Sequence, residues 1–268
     1  LQPWAARPQV GLVARDRLEH PSALVRAAAA SLIGNRIPSS DALRDRLDDP
    51  ARSVRLEAIR FLQNAFDSSE APFREYVAYL NLHVDQPSGA ARRGHLAFNR
   101  GNREEGIRWM RHALAFDSRS PGLWNDLGLM QNAAGRPGPA LQSFQRAASL
   151  DPDNPEYPYA QALLFAETGE LPAAIDALER TVELNPEYAR AWYNLGLAYS
   201  RSNRNLSAIK AIERAEALEP DTADYPYARA TLLLRAGQAA AARAAAEKAL
   251  EIDPDYAPAQ AFLRRMQP

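Results

Sequence analysis

Small residues recur along the chain with a period of 34 positions. One such column runs through Gly94, Gly128, Ala162, Gly196 and Ala230, and further columns of glycine and alanine keep the same spacing. Small side chains at fixed positions let two antiparallel helices approach closely, because larger side chains would hold the helix axes apart. The pattern therefore predicts a pair of packed helices that is repeated along most of the chain.

Each of these units also carries a turn signal and a stop signal. Position 15 of the unit reads Gly101, Gly135, Gly169, Asn203 and Gly237. These residue types tolerate the left-handed conformation that is needed where one helix turns into the next. A proline at position 32 of four units ends the second helix, because it lacks a backbone donor and disfavours helix in the preceding residue. Each unit is therefore predicted to be helix, tight turn, helix and stop.

The second and fourth units resemble the tetratricopeptide repeat family. The residues that carry the resemblance are Trp124, Leu127, Gly128, Ala140, Phe144, Ala147 and Pro152, and then Trp192, Leu195, Gly196, Tyr199, Ala208, Ala215 and Pro220. The resemblance implies an all-α chain that forms a right-handed α-α superhelical solenoid. We predict repeats at 87–120, 121–154, 155–188, 189–222 and 223–256, together making up 87–256. A capping helix is predicted at 257–268.

A different and shorter period appears before residue 86. The segment LEHPSALVRAAAASL aligns with LDDPARSVRLEAIRF, which pairs Pro21 with Pro50 and Arg26 with Arg55. Residues 1–69 therefore resemble HEAT-type repeats, in which such arginines bond within or between repeats. Apolar residues spaced by three and four positions predict a bridging amphipathic helix within the linker 70–86.

Composition excludes several kinds of chemistry. The chain has 268 residues and no cysteine, which removes disulfides, thiol catalysis and cysteine-ligated metals. The charge of about +4 over 1–120 and −5 over 121–268 lacks the concentrated basic stripe of a nucleic-acid binder. No metal-ligand spacing, phosphate loop or nucleophile motif is present among the motifs considered. We therefore predict no enzymatic activity, no cofactor, no metal, no nucleic-acid partner and no membrane span.

The resemblance to tetratricopeptide repeats implies a binding groove lined by the first helix of each repeat, with contacts at positions 2, 5, 9, 12 and 13. The candidate groove residues are Tyr159, Tyr193, Tyr227, Asn125, His95, Leu129, Leu163, Asn194, Leu197, Arg201 and Arg235. Three aligned tyrosines could be rigid anchors for a partner, or could pack on their neighbours and only stiffen the wall. A clamp for chaperone C-termini is disfavoured, because no lysine occupies these columns.

The stretch EYPYAQALLF at 156–165 returns as DYPYARATLL at 224–233, two repeats later. Pro158 and Pro226 fall in the first helical turn, where a missing N–H has no intrahelical partner to lose. The flanking tyrosines lie about 200° apart around the helix. We therefore expect Tyr157 and Tyr225 to pack between repeats, and Tyr159 and Tyr227 to face the groove.

The order of HEAT-like repeats, linker and tetratricopeptide array resembles the C-terminal region of bacterial proteins whose N-terminal part is a multihaem c-type cytochrome. HPSALVRAAAASL, DDPARSVRLEAIRFL and RAWYNLGLAYSR carry this likeness. The first functional hypothesis is a non-catalytic scaffold that binds a peptide or protein segment. The alternative is an assembly, anchoring or filament-packing module of an exported cytochrome, partnered by that cytochrome or by a second copy. The location would be periplasmic or extracellular in the second case and cytoplasmic otherwise.

Overall fold

The computed structural model describes residues 8–37 and 40–266, and every regular element within them is helical. The predicted domain limits also include 1–7, 38–39 and 267–268, which lie outside the described residues. The chain divides into two compact units, residues 1–118 and 119–268. Residues 87–118 of the first predicted tetratricopeptide repeat therefore lie in the N-terminal unit, and residues 119 and 120 lie in the other. The predicted all-α class is confirmed, and the helices are arranged as expected for an α-α superhelical solenoid.

The first unit contains seven α-helices in its described residues. They are α1 (Pro8–Arg17), α2 (Ala23–Arg36), α3 (Asp41–Arg44), α4 (Arg52–Leu62), α5 (Ala71–Asn81), α6 (Pro87–Asn99) and α7 (Arg103–Phe116). A short 3-10 turn, Gln63–Ala65, follows α4. Helix α5 lies between α4 and α6, because Phe73, Tyr76 and Leu80 share one buried cluster with residues of both neighbours.

Two arginines, each the fourth residue of its helix, make equivalent contacts in the first unit. Arg26 Nη1 donates to the carbonyl oxygens of His20 and Pro21 at 2.8 and 3.0 Å, and Arg55 Nη1 donates to those of Asp49 and Pro50 at 2.8 and 3.2 Å. Each guanidinium also forms a bidentate pair, Arg26 with Asp49 and Arg55 with Glu75. Both arginines therefore join the turn before their own helix to a later segment of the unit.

The second unit contains nine α-helices in its described residues. They are α8 (Pro121–Ala133), α9 (Pro137–Leu150), α10 (Glu156–Thr168), α11 (Leu171–Leu184), α12 (Ala189–Arg201), α13 (Asn205–Leu218), α14 (Asp224–Arg235), α15 (Ala239–Ile252) and α16 (Ala257–Arg265). Even-numbered α8 to α14 are the first helices of successive hairpins. The last helix, α16, buries Phe262 against α14 and α15.

The small-residue columns place the two helices of each hairpin in direct contact. A Cβ atom added at Gly128 would lie 2.5 Å from the ring of Phe144, which is itself fully buried against Ala140 and Leu164. An equivalent Cβ at Gly196 would lie 2.7 Å from Ile212. Glycine at this position therefore lets an aromatic or branched side chain of the second helix pack against the backbone of the first.

The turn inside each hairpin has the predicted left-handed residue. The φ angles are 86° at Gly101, 74° at Gly135, 83° at Gly169, 61° at Asn203 and 76° at Gly237. Asparagine is the non-glycine residue that enters this region most readily. The period of the turn signal is thus confirmed in the backbone geometry.

We expect Gly169→Ala to lower the free energy of unfolding by about 1 kcal/mol, because alanine is strained at a positive φ. Gly138→Ala is the matched control, since both sites have open space for a Cβ but Gly138 lies in helix α9. That control should raise stability by about 0.5 kcal/mol. Urea unfolding followed by circular dichroism measures both variants. Equal changes in the free energy of unfolding for the two variants would contradict the left-handed conformation of residue 169.

Candidate interaction surface

The first helices of the second unit form one continuous surface. Hydrogen bonds join neighbouring first helices at residues 35 positions apart. Asn132 Nδ2 on α8 donates to Glu167 Oε2 on α10 at 2.7 Å, and Asn194 Nδ2 on α12 donates to the Tyr159 hydroxyl on α10 at 2.9 Å. Arg235 on α14 donates to Ser200 Oγ on α12 at 3.2 Å. We call the surface formed by α8, α10, α12 and α14 the first-helix wall.

A column of leucines crosses this wall. Leu129, Leu163 and Leu197 occupy position 9 of three successive repeats and are 50%, 40% and 38% exposed. Residues three and four positions away on a helix share its face, so the hydrogen bonds at positions 5, 6, 12 and 13 lie on both sides of this column. The leucines therefore stand in a row on helices whose neighbouring pairs are each joined by one of these hydrogen bonds, on one side of the row or the other.

The three aligned tyrosines differ in what they offer to a partner. Tyr159 is only 8% exposed, and burial raises the pKa of its hydroxyl. Tyr193 and Tyr227 are half-buried, so part of each ring remains accessible. Tyr157 and Tyr225 are buried, as expected for residues that pack between repeats.

Each aligned tyrosine also packs against a tyrosine from a later position in the chain. Ring centroids lie 4.9 Å apart for Tyr159 and Tyr188, and 5.6 Å apart for Tyr227 and Tyr256. Tyr193 packs against Tyr225 at 5.2 Å. Each of the three aligned tyrosines thus packs on a neighbouring ring, and this packing does not exclude partner contacts by the exposed parts of Tyr193 and Tyr227.

Sequence reasoning did not select Tyr188 and Tyr256, although their separation in the chain equals that of the two Tyr-Pro-Tyr-Ala stretches. Their hydroxyls donate to carboxylates at position 2 of the preceding first helix, Tyr188 to Glu156 at 3.3 Å and Tyr256 to Asp224. Burial, with the nearby Glu156, raises the pKa of Tyr188. Both tyrosines therefore act as hydrogen-bond donors, and extending the comparison of the two stretches past the helix would have found them.

The remaining candidate groove residues differ in their exposure to solvent and in the helix that carries them. Arg201 and Arg235 are exposed at position 13 of α12 and α14. Asn125 is half-buried on α8, and its Oδ1 has no hydrogen-bond partner within the described part of the chain. His95 is half-buried on α6 in the first unit. The wall of the second unit thus brings together every predicted groove residue except His95.

Other kinds of site were sought across residues 8–37 and 40–266. Within these ranges no cluster of three or more acidic or histidine side chains is arranged to hold a metal ion. No helix in the same ranges is both long enough and apolar enough to cross a membrane.

Two family models match the sequence. One, described as a TPR repeat, matches residues 162–203, and another, described as a tetratricopeptide repeat, matches 92–155 and 196–257. Together they match more than half of the chain. No curated protein matches. The matched ranges begin at residue 92, so they do not support the HEAT-like interpretation of 1–69 or the cytochrome resemblance.

Solved structures with a similar fold include MamA and a TPR protein. The chain is 28% identical to MamA over 61% of its own length and 96% of that chain, with a TM-score of 0.57. It is 18% identical to YrrB, described as a TPR protein with an unusual peptide-binding site, over 70% of its length and 97% of that chain, with a TM-score of 0.57. A structure of the APC/C hetero-tetramer Cut9-Hcn1 is 19% identical to this chain, with a TM-score of 0.59. The match covers 97% of this chain and 52% of the matched one.

Proposed function

Because this chain belongs to the tetratricopeptide repeat family, we propose that it is a protein-interaction scaffold whose first-helix wall binds a segment of another protein. The row of exposed leucines is the observation that carries the proposal. Large apolar side chains grouped on one surface typically mark a binding site. The peptide-binding site named for YrrB supports the same use of the fold.

Hydrogen bonds between neighbouring first helices favour a wall that is formed before a partner binds. Each of the three bonds joins one pair of helices that carry the leucine row. A preformed surface loses less conformational entropy on binding than a mobile one. Tyr193 and Tyr227 would add partly exposed aromatic contacts beside the leucines, while the buried Tyr159 would support them. No catalytic step is part of the proposed function.

We expect the triple variant Leu129→Ser, Leu163→Ser and Leu197→Ser to weaken binding of a partner peptide about 30-fold. Covering the exposed half of each leucine contributes about 0.7 kcal/mol, or about 2 kcal/mol for three. Peptides selected from a random display library on the native protein serve as the ligands, and fluorescence anisotropy measures their affinity.

The matched control is Leu206→Ser, which changes a leucine that is 73% exposed on the second helix α13, away from the wall. It should leave the affinity unchanged. Circular dichroism should show that all variants stay folded. Native affinity in a folded triple variant, or failure to select any peptide, would contradict the proposed function.

For the first unit we propose that α1 to α4 form two HEAT-like hairpins. The proposal is supported by the equivalent bonding of Arg26 and Arg55, whose carbonyl acceptors are offset along the chain by the same interval as the arginines themselves.

A further inference from the structure

We infer that the segment bound by the first-helix wall carries charges of both signs in a fixed order. Basic residues would face Glu167 on α10, apolar residues would cover the leucine row, and acidic residues would face Arg201 on α12 and Arg235 on α14. This inference rests on the proposed function and adds to it the chemistry and the orientation of the partner.

The formal charges of the wall change sign between α10 and α12. Helix α8 carries Asp126 as its one charged side chain, and α10 carries Glu156 and Glu167 with no basic residue. Helix α12 carries Arg190 and Arg201 with no acidic residue. The sign therefore reverses partway along the leucine row, between Leu163 and Leu197.

Helix α14 continues the basic half. It contains Asp224, Arg229 and Arg235. Arg229 is paired with the buried Glu216. Asp224 at position 2 accepts from the neutral hydroxyl of Tyr256 and keeps its charge, as Glu156 does, so the order of signs is read at position 13. At position 13, the edge of the wall thus reads Glu167, Arg201 and Arg235 on successive helices.

The charges at positions 2 and 13 of these helices are not neutralised by one another. Glu167 accepts from the neutral amide of Asn132, and Glu156 accepts from the neutral hydroxyl of Tyr188. Arg235 donates to the neutral hydroxyl of Ser200. Arg190 and Arg201 are exposed and form no ion pair with any described residue. These side chains keep their charge available to a partner.

Charge order then restricts which segments fit. A uniformly acidic segment would place like charges against Glu156 and Glu167, and a uniformly basic one would place them against Arg201 and Arg235. Like charges across an interface are unfavourable, while opposite charges steer association and fix the register. A segment with a basic end, an apolar centre and an acidic end satisfies both halves of the wall.

Three synthetic peptides with the same leucine centre test this inference. One has lysines at one end and glutamates at the other, one has glutamates at both ends, and one has lysines at both ends. At low salt we expect the mixed-charge peptide to bind at least tenfold more tightly than either uniform peptide. The double variant Arg201→Glu and Arg235→Glu should lose that preference and bind the all-lysine peptide more tightly.

Lys210→Glu with Arg214→Glu is the matched control, because it changes the net charge equally on the exposed face of α13. It should preserve the preference for the mixed-charge peptide. The absence of native cysteine allows a spin label at Ala133→Cys, the last residue of α8, or at Ala236→Cys, directly after α14. The label at 236 should broaden NMR signals of the glutamate end, and the label at 133 those of the lysine end.

Different failures identify different errors. If all leucine-centred peptides bind equally, or both labels broaden the same end, the charge order is wrong while the proposed function stands. If a uniform peptide binds most tightly, the inference is likewise overturned. If no leucine-centred peptide binds and display selection also fails, the inference and the proposed function fall together.

Discussion

Phe144→Ala is expected to lower the free energy of unfolding by about 4 kcal/mol. Phe144 lies on α9, is 1% exposed, and packs against Ala140, Leu164 and the backbone at Gly128. Removing the ring leaves a cavity at the contact between one hairpin and the first helix of the next. Because repeats of a solenoid are stabilised by their neighbours, this loss should affect the cooperativity of the whole second unit.

Urea unfolding followed by circular dichroism measures the effect. Leu206→Ala, at a leucine that is 73% exposed, is the control and should change stability by less than about 0.5 kcal/mol. Gly128→Ala alone should cost about 2 kcal/mol, because its Cβ would meet the Phe144 ring. The double variant should lose less than the sum of the two, since the alanine methyl then enters the vacated space. Strict additivity would show that these residues do not contact.

Asp49→Ala is expected to lower the free energy of unfolding by about 3 kcal/mol. Asp49 is 6% exposed and accepts two hydrogen bonds of 2.8 Å from Arg26 and one of 2.9 Å from the backbone N–H of Ala51. The substitution leaves Arg26 without its carboxylate and removes the acceptor at the start of α4. Thermal and urea unfolding measure the loss.

The control is Asp41→Ala, which removes the carboxylate of an exposed pair with Arg44 and should cost less than about 0.5 kcal/mol. Equal losses in the two variants would show that the buried pair contributes no more than a surface pair.

The Asp49 pair also predicts a dependence of stability on pH. Hydrogen bonds from Arg26 hold the pKa of Asp49 below its usual value. The stabilisation is therefore complete above the unfolded pKa of about 3.9 and is lost as the pH falls through the lower folded pKa. Between about pH 5 and pH 3 the native protein should lose more stability than Asp49→Ala. If the free energy of unfolding of the two proteins fell equally between about pH 5 and pH 3, the predicted lowering of the Asp49 pKa would be contradicted.

The sequence predicted most of the second unit because its signals are local and repeated. A left-handed turn residue, a proline stop and a small-residue column each act within one hairpin, so their meaning does not depend on distant parts of the chain. The backbone at Asn203 illustrates this, since an asparagine in a glycine column predicts a positive φ directly. The same reasoning placed Tyr157 and Tyr225 between repeats.

The candidate site was less predictable, because the exposure of a side chain depends on which neighbour covers it. Tyr159, Tyr193 and Tyr227 share one repeat position, yet Tyr159 is buried while the other two are half-buried. Tyr188, the covering residue for Tyr159, comes from the end of its own repeat, and the first-helix pattern does not include that position. The sequence did not distinguish the leucines at position 9 from the tyrosines, yet the leucine side chains are more exposed to solvent than Tyr159.

The sequence by itself determined the all-α class, the hairpin period and the positions of the turns, since these depend on backbone preferences within a single repeat. Only the tertiary structure decided which wall residues stay exposed, which charges remain without an ionic partner, and where the compact units divide. Those features arise from contacts between helices of successive repeats. A hydrogen bond such as that of Asn194 with Tyr159 forms only after two hairpins have packed together.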